Sequence, residues 1–166
     1  STKADYLQYL DESLDTENVP WNVCNWHRNN NLLQPGSKTG DKVGYEAYNL
    51  CRKYGAIIAS YHEHSYSRTH EINKYSKGTG DLSDAMTVAP ESLSSNGTEI
   101  RLVDHQADLI GSNFTFVSGL GGQSIRSESR AEGQSRWLTS YPWWAAYSLR
   151  QNAERSEAEY NAWNAN

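Results

Sequence analysis

The chain is poor in several residue types and has neither the long apolar run of a membrane protein nor the excess of basic residues of a nucleic-acid-binding protein. Among its 166 residues are one Met, two Phe, four Pro and two Cys. No apolar run approaches the roughly 18 residues that cross a bilayer as a helix. Lys and Arg total 15 against 20 Asp and Glu, and the formal net charge is −5. The sequence therefore predicts neither a membrane span nor the basic surface of a nucleic-acid-binding protein.

Aromatic residues that also carry a polar group are abundant instead. There are six Trp and eleven Tyr, and such side chains suit a wet groove or a polar interface as well as a core. A length of 166 residues is enough for one ordinary domain with its own core.

A short apolar run followed by two histidines is the most informative stretch. Residues 56–59 are small or β-branched and predict a buried strand. His62 and His64 follow, and side chains two apart on an extended backbone point the same way. Neutral imidazoles that converge on one site are interpreted as metal ligands first and as a pH switch second. Two solvated histidines are the other interpretation, and spacing alone does not choose between them.

A second histidine follows another predicted strand, residues 21–26. Apolar side chains lie on both faces of this segment, which predicts a strand covered on two sides; they are Trp21 and Val23 on one face, Cys24 and Trp26 on the other. His27 comes directly after it and opens a polar loop, so its placement repeats that of His62.

Two segments predict helices. Residues 2–14 begin at Thr2, a candidate N-cap, and residues 43–54 are amphipathic, with Asp41 as candidate N-cap and Gly55 just past the end. The apolar stripe of the first helix consists of Leu7, Leu10 and Leu14.

The rest of the chain is less regular. Residues 71–98 predict a long polar surface loop, and residues 113–118 predict a strand followed by a glycine-rich turn that needs positive φ. The aromatic-rich stretch 137–147 is expected to pack against the sheet. Residues 148–159 are helical or turn-like by composition, and 160–163 predict a last short strand.

The histidine stretch resembles a known signature. His62-Glu-His64-Ser-Tyr66-Ser-Arg68-Thr69 after Gly-Ala-Ile-Ile-Ala resembles the last signature of the calcineurin-like metallophosphoesterases, which include the purple acid phosphatases. That signature is usually Gly-His-x-His followed by an aromatic residue and Arg-Thr.

Other parts of the chain match the same family. His27 matches the single histidine that ends an earlier strand, and residues 117–122 resemble the segment after the signature. Two positions depart from the family: Tyr61 replaces the glycine, and Asn29 replaces a proline after His27. A tyrosine at position 61 is expected to crowd the metal or the substrate.

The resemblance implies a fold and a site. The expected fold is α/β (α+β), a layered β-sandwich flanked by helices, with residues 1–166 as a single partial domain matching the carboxyl-terminal half of the family's catalytic domain. His27 and His62 would hold one metal and His64 a second, with Arg68 and Tyr66 in support. Two ions of Zn, Fe or Mn in the complete site would clamp a phosphate ester. The loop 32–41 is where family members often place groups that face the substrate.

The carboxylate ligands of the family are missing. The chain contains no Asp-x-His and no Gly-Asn-His, and its Gly80-Asp81 follows the histidines instead of preceding them. The chain is therefore expected to be inactive alone and to need an upstream half or a companion chain. The alternative is a non-catalytic structural or carbohydrate-binding extracellular module, with Trp143 and Trp144 in a sugar-stacking platform.

Export is the expected destination, as a secreted, extracellular or vacuolar glycoprotein. Asn96-Gly-Thr and Asn113-Phe-Thr are glycosylation acceptors by sequence. In an exported protein a Cys24–Cys51 disulfide is plausible. Two unpaired buried thiols are the other interpretation, and the sequence leaves both open.

Overall fold

The protein is described by a computed structural model that covers residues 2–15, 19–38, 43–78, 82, 85–88, 111–121, 124–130 and 137–149. Two α-helices and seven strands lie in this part of the chain: α1 (Lys3–Leu14), β1 (Val23–Asn25), α2 (Tyr45–Lys53), β2 (Ile57–Ser60), β3 (Tyr66–Thr69), β4 (Ile72–Tyr75), β5 (Met86–Val88), β6 (Thr115–Ser118) and β7 (Trp144–Ser148). Short 3₁₀ helices lie at Asn31–Leu33 and Leu138–Ser140. Neither α-helix has the length and apolar character needed to cross a bilayer.

Five strands form a mixed sheet in the order β1-β2-β6-β3-β7. β1, β2 and β6 run parallel, while β3 runs antiparallel to both β6 and β7. β4 and β5 form a separate antiparallel pair. The predicted mixture of helices and layered sheets is confirmed. The predicted loop 71–98 is wrong for residues 72–75 and 86–88, because they form this second sheet.

The helix ends follow local rules. Thr2 and Asp5 form a capping box at the start of α1, as the sequence predicted for Thr2. α2 begins at Tyr45 after Gly44, which has φ of +84°, so Asp41 is not its N-cap. At its other end Gly55 has φ of +62°, and the N–H groups of residues 55 and 56 donate to the carbonyls of residues 52 and 51. This is a Schellman ending, with glycine at the position the sequence predicted.

A disulfide joins β1 to α2. Cys24 and Cys51 are bonded, with their Cα atoms 6.4 Å apart, so the structure contains the bridge and not two thiols. β1 is covered on one face only: Cys24 is buried, whereas Trp21 and Val23 are more than half exposed. The prediction of cover on both faces is wrong, since the face with Trp21 and Val23 is exposed; β1 is also an edge strand of the larger sheet within the described residues.

The aromatic-rich stretch packs against the larger sheet, as predicted. Trp143 is fully buried and stacks on Tyr141 with ring centroids 4.6 Å apart, and Trp144 is 8% exposed within β7. The alternative sugar-stacking platform at Trp143 and Trp144 is therefore wrong, because neither indole is open to a ligand. The helix and strand predicted over 150–163 lie outside the described residues.

Candidate functional site

His27 and His62 lie where two parallel strands end. β1 and β2 are neighbours in the sheet, and each histidine is two residues beyond its strand. The His27 carbonyl accepts hydrogen bonds from the N–H groups of Tyr61 (3.2 Å) and His62 (2.8 Å). These backbone bonds hold the two strand ends together and bring both imidazoles to one edge of the sheet.

The two rings are in direct contact. Nδ1 of His62 lies 2.9 Å from Nε2 of His27, and the ring centroids are 4.7 Å apart at 63°. His27 is exposed and His62 is partly exposed. One ring donates to the other, so one of the two nitrogens carries a proton and the other presents a lone pair.

His64 points to a different partner. Its Nε2 atom lies 3.0 Å from the ammonium nitrogen of Lys38. Residues 61–65 are not extended, so the alternation that would align His64 with His62 does not apply. His64 is therefore outside the direct contact that joins His27 and His62, although its charge is near enough to lower the pKa of His62. Its predicted role as a metal ligand stays a prediction.

The topology explains this bend. β2 and β3 flank β6 on opposite sides, so the chain between them must cross over the carboxyl end of β6. Gly119 follows β6 and lies under the crossing, and its N–H donates to the Ser65 carbonyl (3.1 Å). A Cβ at this position would be 2.9 Å from the Glu63 carbonyl carbon and closer still to the carbonyl oxygens of Tyr61 and Glu63. Close approach, not the predicted positive φ, is the reason for this glycine.

The loop after His27 is anchored by Asn29. Asn29 is buried, donates to the Leu33 carbonyl (2.6 Å) and accepts from the Tyr48 hydroxyl. The same hydroxyl accepts from the Trp26 indole (3.2 Å) and the Asn30 N–H (2.8 Å). Since Tyr48 belongs to α2, the helix fixes the course of the chain around His27.

The side chain of Glu63 is turned inward, toward the backbone of Lys38. This side chain is fully buried, and Oε2 accepts from the N–H of Lys38 (2.7 Å). A Cβ on Gly36 would lie 2.7 Å from that oxygen and closer still to the other carboxylate atoms. Gly36 therefore makes room for the carboxylate.

Several buried polar atoms around this point have no hydrogen-bond partner in the described part of the chain. They include the second oxygen of Glu63, the amide oxygen of Gln34, Nδ1 of His64 and the hydroxyl of Ser65. Unpaired buried polar groups are costly, and functional sites or bound water often account for them.

The electrostatic surroundings of His62 are positive. Partial burial lowers its pKa, and the charges of Lys38 and Arg28 lower it further. The lowered pKa favours the neutral form of His62, which is the form that binds a metal.

The imidazole pair is close to the spacing of two ligands of one metal ion: its nitrogens are 2.9 Å apart, against about 3.3 Å between tetrahedral ligand nitrogens of Zn²⁺. Metal binding requires the rings to part slightly and the shared proton to leave. His64 does not fit as a ligand while its Nε2 faces an ammonium. Among the described residues, no group of three or more His, Cys, Asp or Glu side chains is arranged to hold a metal.

The supporting residues lie on or beside β3. Tyr66 begins the strand, pairing with Ser118 and Ser148. The Arg68 guanidinium lies over the Phe114 ring, 6.0 Å from its centroid. Tyr61 is exposed, and its hydroxyl accepts from the Asn25 amide (2.7 Å). Its predicted crowding of the site stays a prediction, as does the bracing role of Arg68.

The glycosylation predictions have different outcomes. Asn113 is buried; its amide donates to the Ala56 carbonyl (2.6 Å) and its oxygen accepts from the Tyr75 hydroxyl (2.8 Å). The folded chain therefore does not present Asn113 as an acceptor, and that prediction is wrong. Asn96 lies outside the described residues.

Sequence reasoning missed Lys38 and Glu63. The predicted functional loop 32–41 contains Lys38, but nothing in its spacing relates it to His64. Glu63 stands between the two histidines of the motif, and burial of a carboxylate in that position has no periodic signal. Gly36 was the available hint, because glycine often marks a close approach.

Comparisons with known proteins complete the description. No protein-family model matches the chain, and a search of curated proteins finds no match. Among solved structures, the chain is similar to a purple acid phosphatase from yellow lupin (Lupinus luteus) seeds, with 17% identity over 86% of this chain and a TM-score of 0.49. The matched part is 22% of that enzyme's chain. A likeness of this degree carries no conclusion about activity.

Proposed function

We propose that the chain supplies imidazole ligands to a metal-dependent phosphoester hydrolase. The observation that carries this proposal is the contact between His27 and His62 at the ends of adjacent parallel strands. The sequence signature around His62 supplies the reaction class. A bound Zn, Fe or Mn ion would polarise a phosphoryl oxygen and lower the pKa of a bound water.

The chain's own residues would bind and orient. His27 and His62 would each give a ring nitrogen to the metal, and the His27 carbonyl keeps the two strand ends in register. The positive charges of Lys38 and Arg28 beside His62 would attract a phosphate ester. The same charges oppose a bare cation, so the metal needs anionic ligands.

We propose that those ligands are carboxylates from an upstream segment or a companion chain. Glu63 does not supply one, since its carboxylate is buried against the loop that carries Lys38. Two neutral imidazoles leave at least two positions of a tetrahedral ion unfilled. The chain alone should therefore bind metal weakly and hydrolyse nothing.

The test uses the protein as isolated from its source, with any companion chain. Metal analysis and phosphatase assays are compared for the native protein and a variant with both His27→Ala and His62→Ala. We expect loss of metal and of activity in the variant. His70→Ala is the control, because it removes an imidazole outside the pair. Metal retained in full by the double variant would end this proposal.

Export remains part of the proposal. The Cys24–Cys51 disulfide supports it, because such bridges persist in oxidising compartments and are rare in the cytosol. Intact mass of protein taken from the source, with and without reduction, tests it: a 2 Da increase on reduction is expected for one disulfide. A native protein with two free thiols would contradict it.

A non-catalytic module is the second candidate. It is favoured by the lack, within the described ranges, of a third metal-ligating side chain beside the histidine pair. The metal analysis above separates the two functions, since only the hydrolase requires bound metal.

A further inference from the structure

The contact between Lys38 and His64 fixes the state of the imidazole. The ammonium nitrogen of Lys38 lies 3.0 Å from Nε2 of His64. An ammonium group donates hydrogen bonds and accepts none. With Lys38 donating, Nε2 accepts, and the ring proton of His64 is on Nδ1, a buried atom without a hydrogen-bond partner among the described residues.

Two hydrogen bonds to neighbouring side chains fix the backbone of Lys38. Its N–H donates to Glu63 (2.7 Å), and its carbonyl accepts from the Gln34 amide (2.6 Å). Both partner side chains are fully buried. The backbone of Lys38 is thus held on two sides, and its side chain reaches His64 from a fixed base.

This arrangement is incompatible with a metal at Nε2. The lone pair that a metal would take is directed at the ammonium, and a cation there would be repelled by the charge of Lys38. The charge of Lys38 also reaches His62, where it lowers the pKa. Arg28 also acts on His62, so two positive groups lie near the histidine edge, while the carboxylate of Glu63 is buried.

We propose that Lys38 replaces the second metal ion at His64, and that its ammonium binds an oxygen of a phosphate group held at the His27–His62 edge. The identity of the anion rests on the proposed hydrolase function; the replacement of a metal by Lys38 does not. An ammonium and a metal ion both neutralise phosphate, and both engage the lone pair of a neutral imidazole, so the ammonium of Lys38 can take the place of a metal at His64.

The tautomer of His64 is the first test. Long-range ¹⁵N–¹H correlation spectra of the full chain, with His64 assigned by a His64→Gln variant, should show the proton on Nδ1. Lys38→Met should shift the population toward the Nε2–H form. Lys74→Met, a control on β4, should leave the spectrum of His64 unchanged. A proton on Nε2 of His64 in the wild-type chain would overturn the proposal.

Binding of inorganic phosphate is the second test, measured by calorimetry on the full chain with a chelator present. Lys38→Met should weaken binding by at least about tenfold, as expected for loss of a charge-assisted hydrogen bond. Lys38→Arg should retain most of the affinity, and Lys74→Met should not change it. Equal affinity in wild type and Lys38→Met would contradict the anion-binding role.

The metal content of the native protein completes the test. One metal per site is expected, and two would overturn the replacement by Lys38. Failure of the hydrolase proposal would appear differently, as metal content unaffected by removal of His27 and His62. The phosphate titration remains interpretable in that case because the chelator removes metal from it.

Discussion

His62 and His64 are two residues apart in one motif, but the contacts of their imidazoles differ in almost every respect. His62 meets another imidazole at the exposed edge of the sheet, and His64 meets a lysine anchored by buried side chains. The first contact joins the ends of parallel strands, whereas the second lies where the chain crosses over β6. The comparison teaches that a spacing of two residues aligns side chains only while the backbone stays extended.

The largest expected effect on stability comes from removing the Cys24–Cys51 disulfide, which holds the strand that precedes His27 against α2. Replacing both Cys24 and Cys51 by Ala opens a link between residues 27 apart in sequence, and chain entropy predicts a loss of about 3–4 kcal/mol. Denaturant unfolding measures the loss. Reduction of the wild-type chain should cost a similar amount and should not affect the variant. A variant as stable as the oxidised wild type would contradict this assignment.

The next largest effect comes from a substitution that disturbs the His27–His62 and Lys38–His64 contacts together. Gly119→Ala places a methyl group against the backbone of Tyr61 and Glu63, and because backbone atoms cannot turn aside, a loss of about 3 kcal/mol is expected. Gly121→Ala is the matched control, since a Cβ there meets nothing within 4 Å. Denaturant unfolding should show that the Gly119→Ala variant is much less stable than the Gly121→Ala variant. Equal stabilities would show that the backbone between β2 and β3 shifts at little cost to accept the methyl group.

A smaller effect separates the two contacts. Glu63→Ala leaves the part-buried N–H of Lys38 without its acceptor, at a cost of about 2 kcal/mol. The NMR signals of His64 should move, while the contact between His27 and His62 persists. Glu46→Ala removes an exposed carboxylate paired with Lys3 and serves as the control. Signals that move equally at all three histidines would mean that the two contacts are coupled.

The smallest effect is the pH dependence contributed by His62. Its pKa is lowered from the ordinary value of 6.5 by burial and by nearby positive charges. The unfolded chain therefore binds the proton more readily, so stability is fully present above pH 6.5 and falls as the pH drops toward the lower folded pKa. Denaturant unfolding between pH 5 and 8 should show less loss on acidification in His62→Gln than in wild type. An equal loss in both would assign the dependence to other groups, such as His70, whose pKa burial also lowers.

Much of the fold was accessible from local signals. The capping box at Thr2, the glycine after α2 and the strand 57–60 each depend on neighbours within a few residues. The strands β4 and β5 were missed because their buried side chains are widely spaced among polar residues. Ile72 and Tyr75 are buried at the two ends of β4, with a register shift between them, which removes the alternation that reveals a strand.

The candidate site was accessible only in part. His27 and His62 could be placed together, because strand ends that share one edge of a sheet are close in space. His64 could not be placed, because its direction depends on which strand the chain crosses. Lys38 and His64 are 26 residues apart in sequence. Contacts with Glu63 and Gln34 hold Lys38 in place, and no periodicity in the sequence indicates them.

The amino-acid sequence by itself determined the helix caps, the strand-forming runs and the presence of imidazoles after two of those runs, since each is a matter of short-range geometry and residue chemistry. Only the tertiary structure decided that β6 lies between β2 and β3. That order bends the chain between the two histidines, so one faces His27 and the other faces Lys38. The physical reason is that strand order is set by packing over the whole sheet, and the direction of a side chain at a strand's end follows from it.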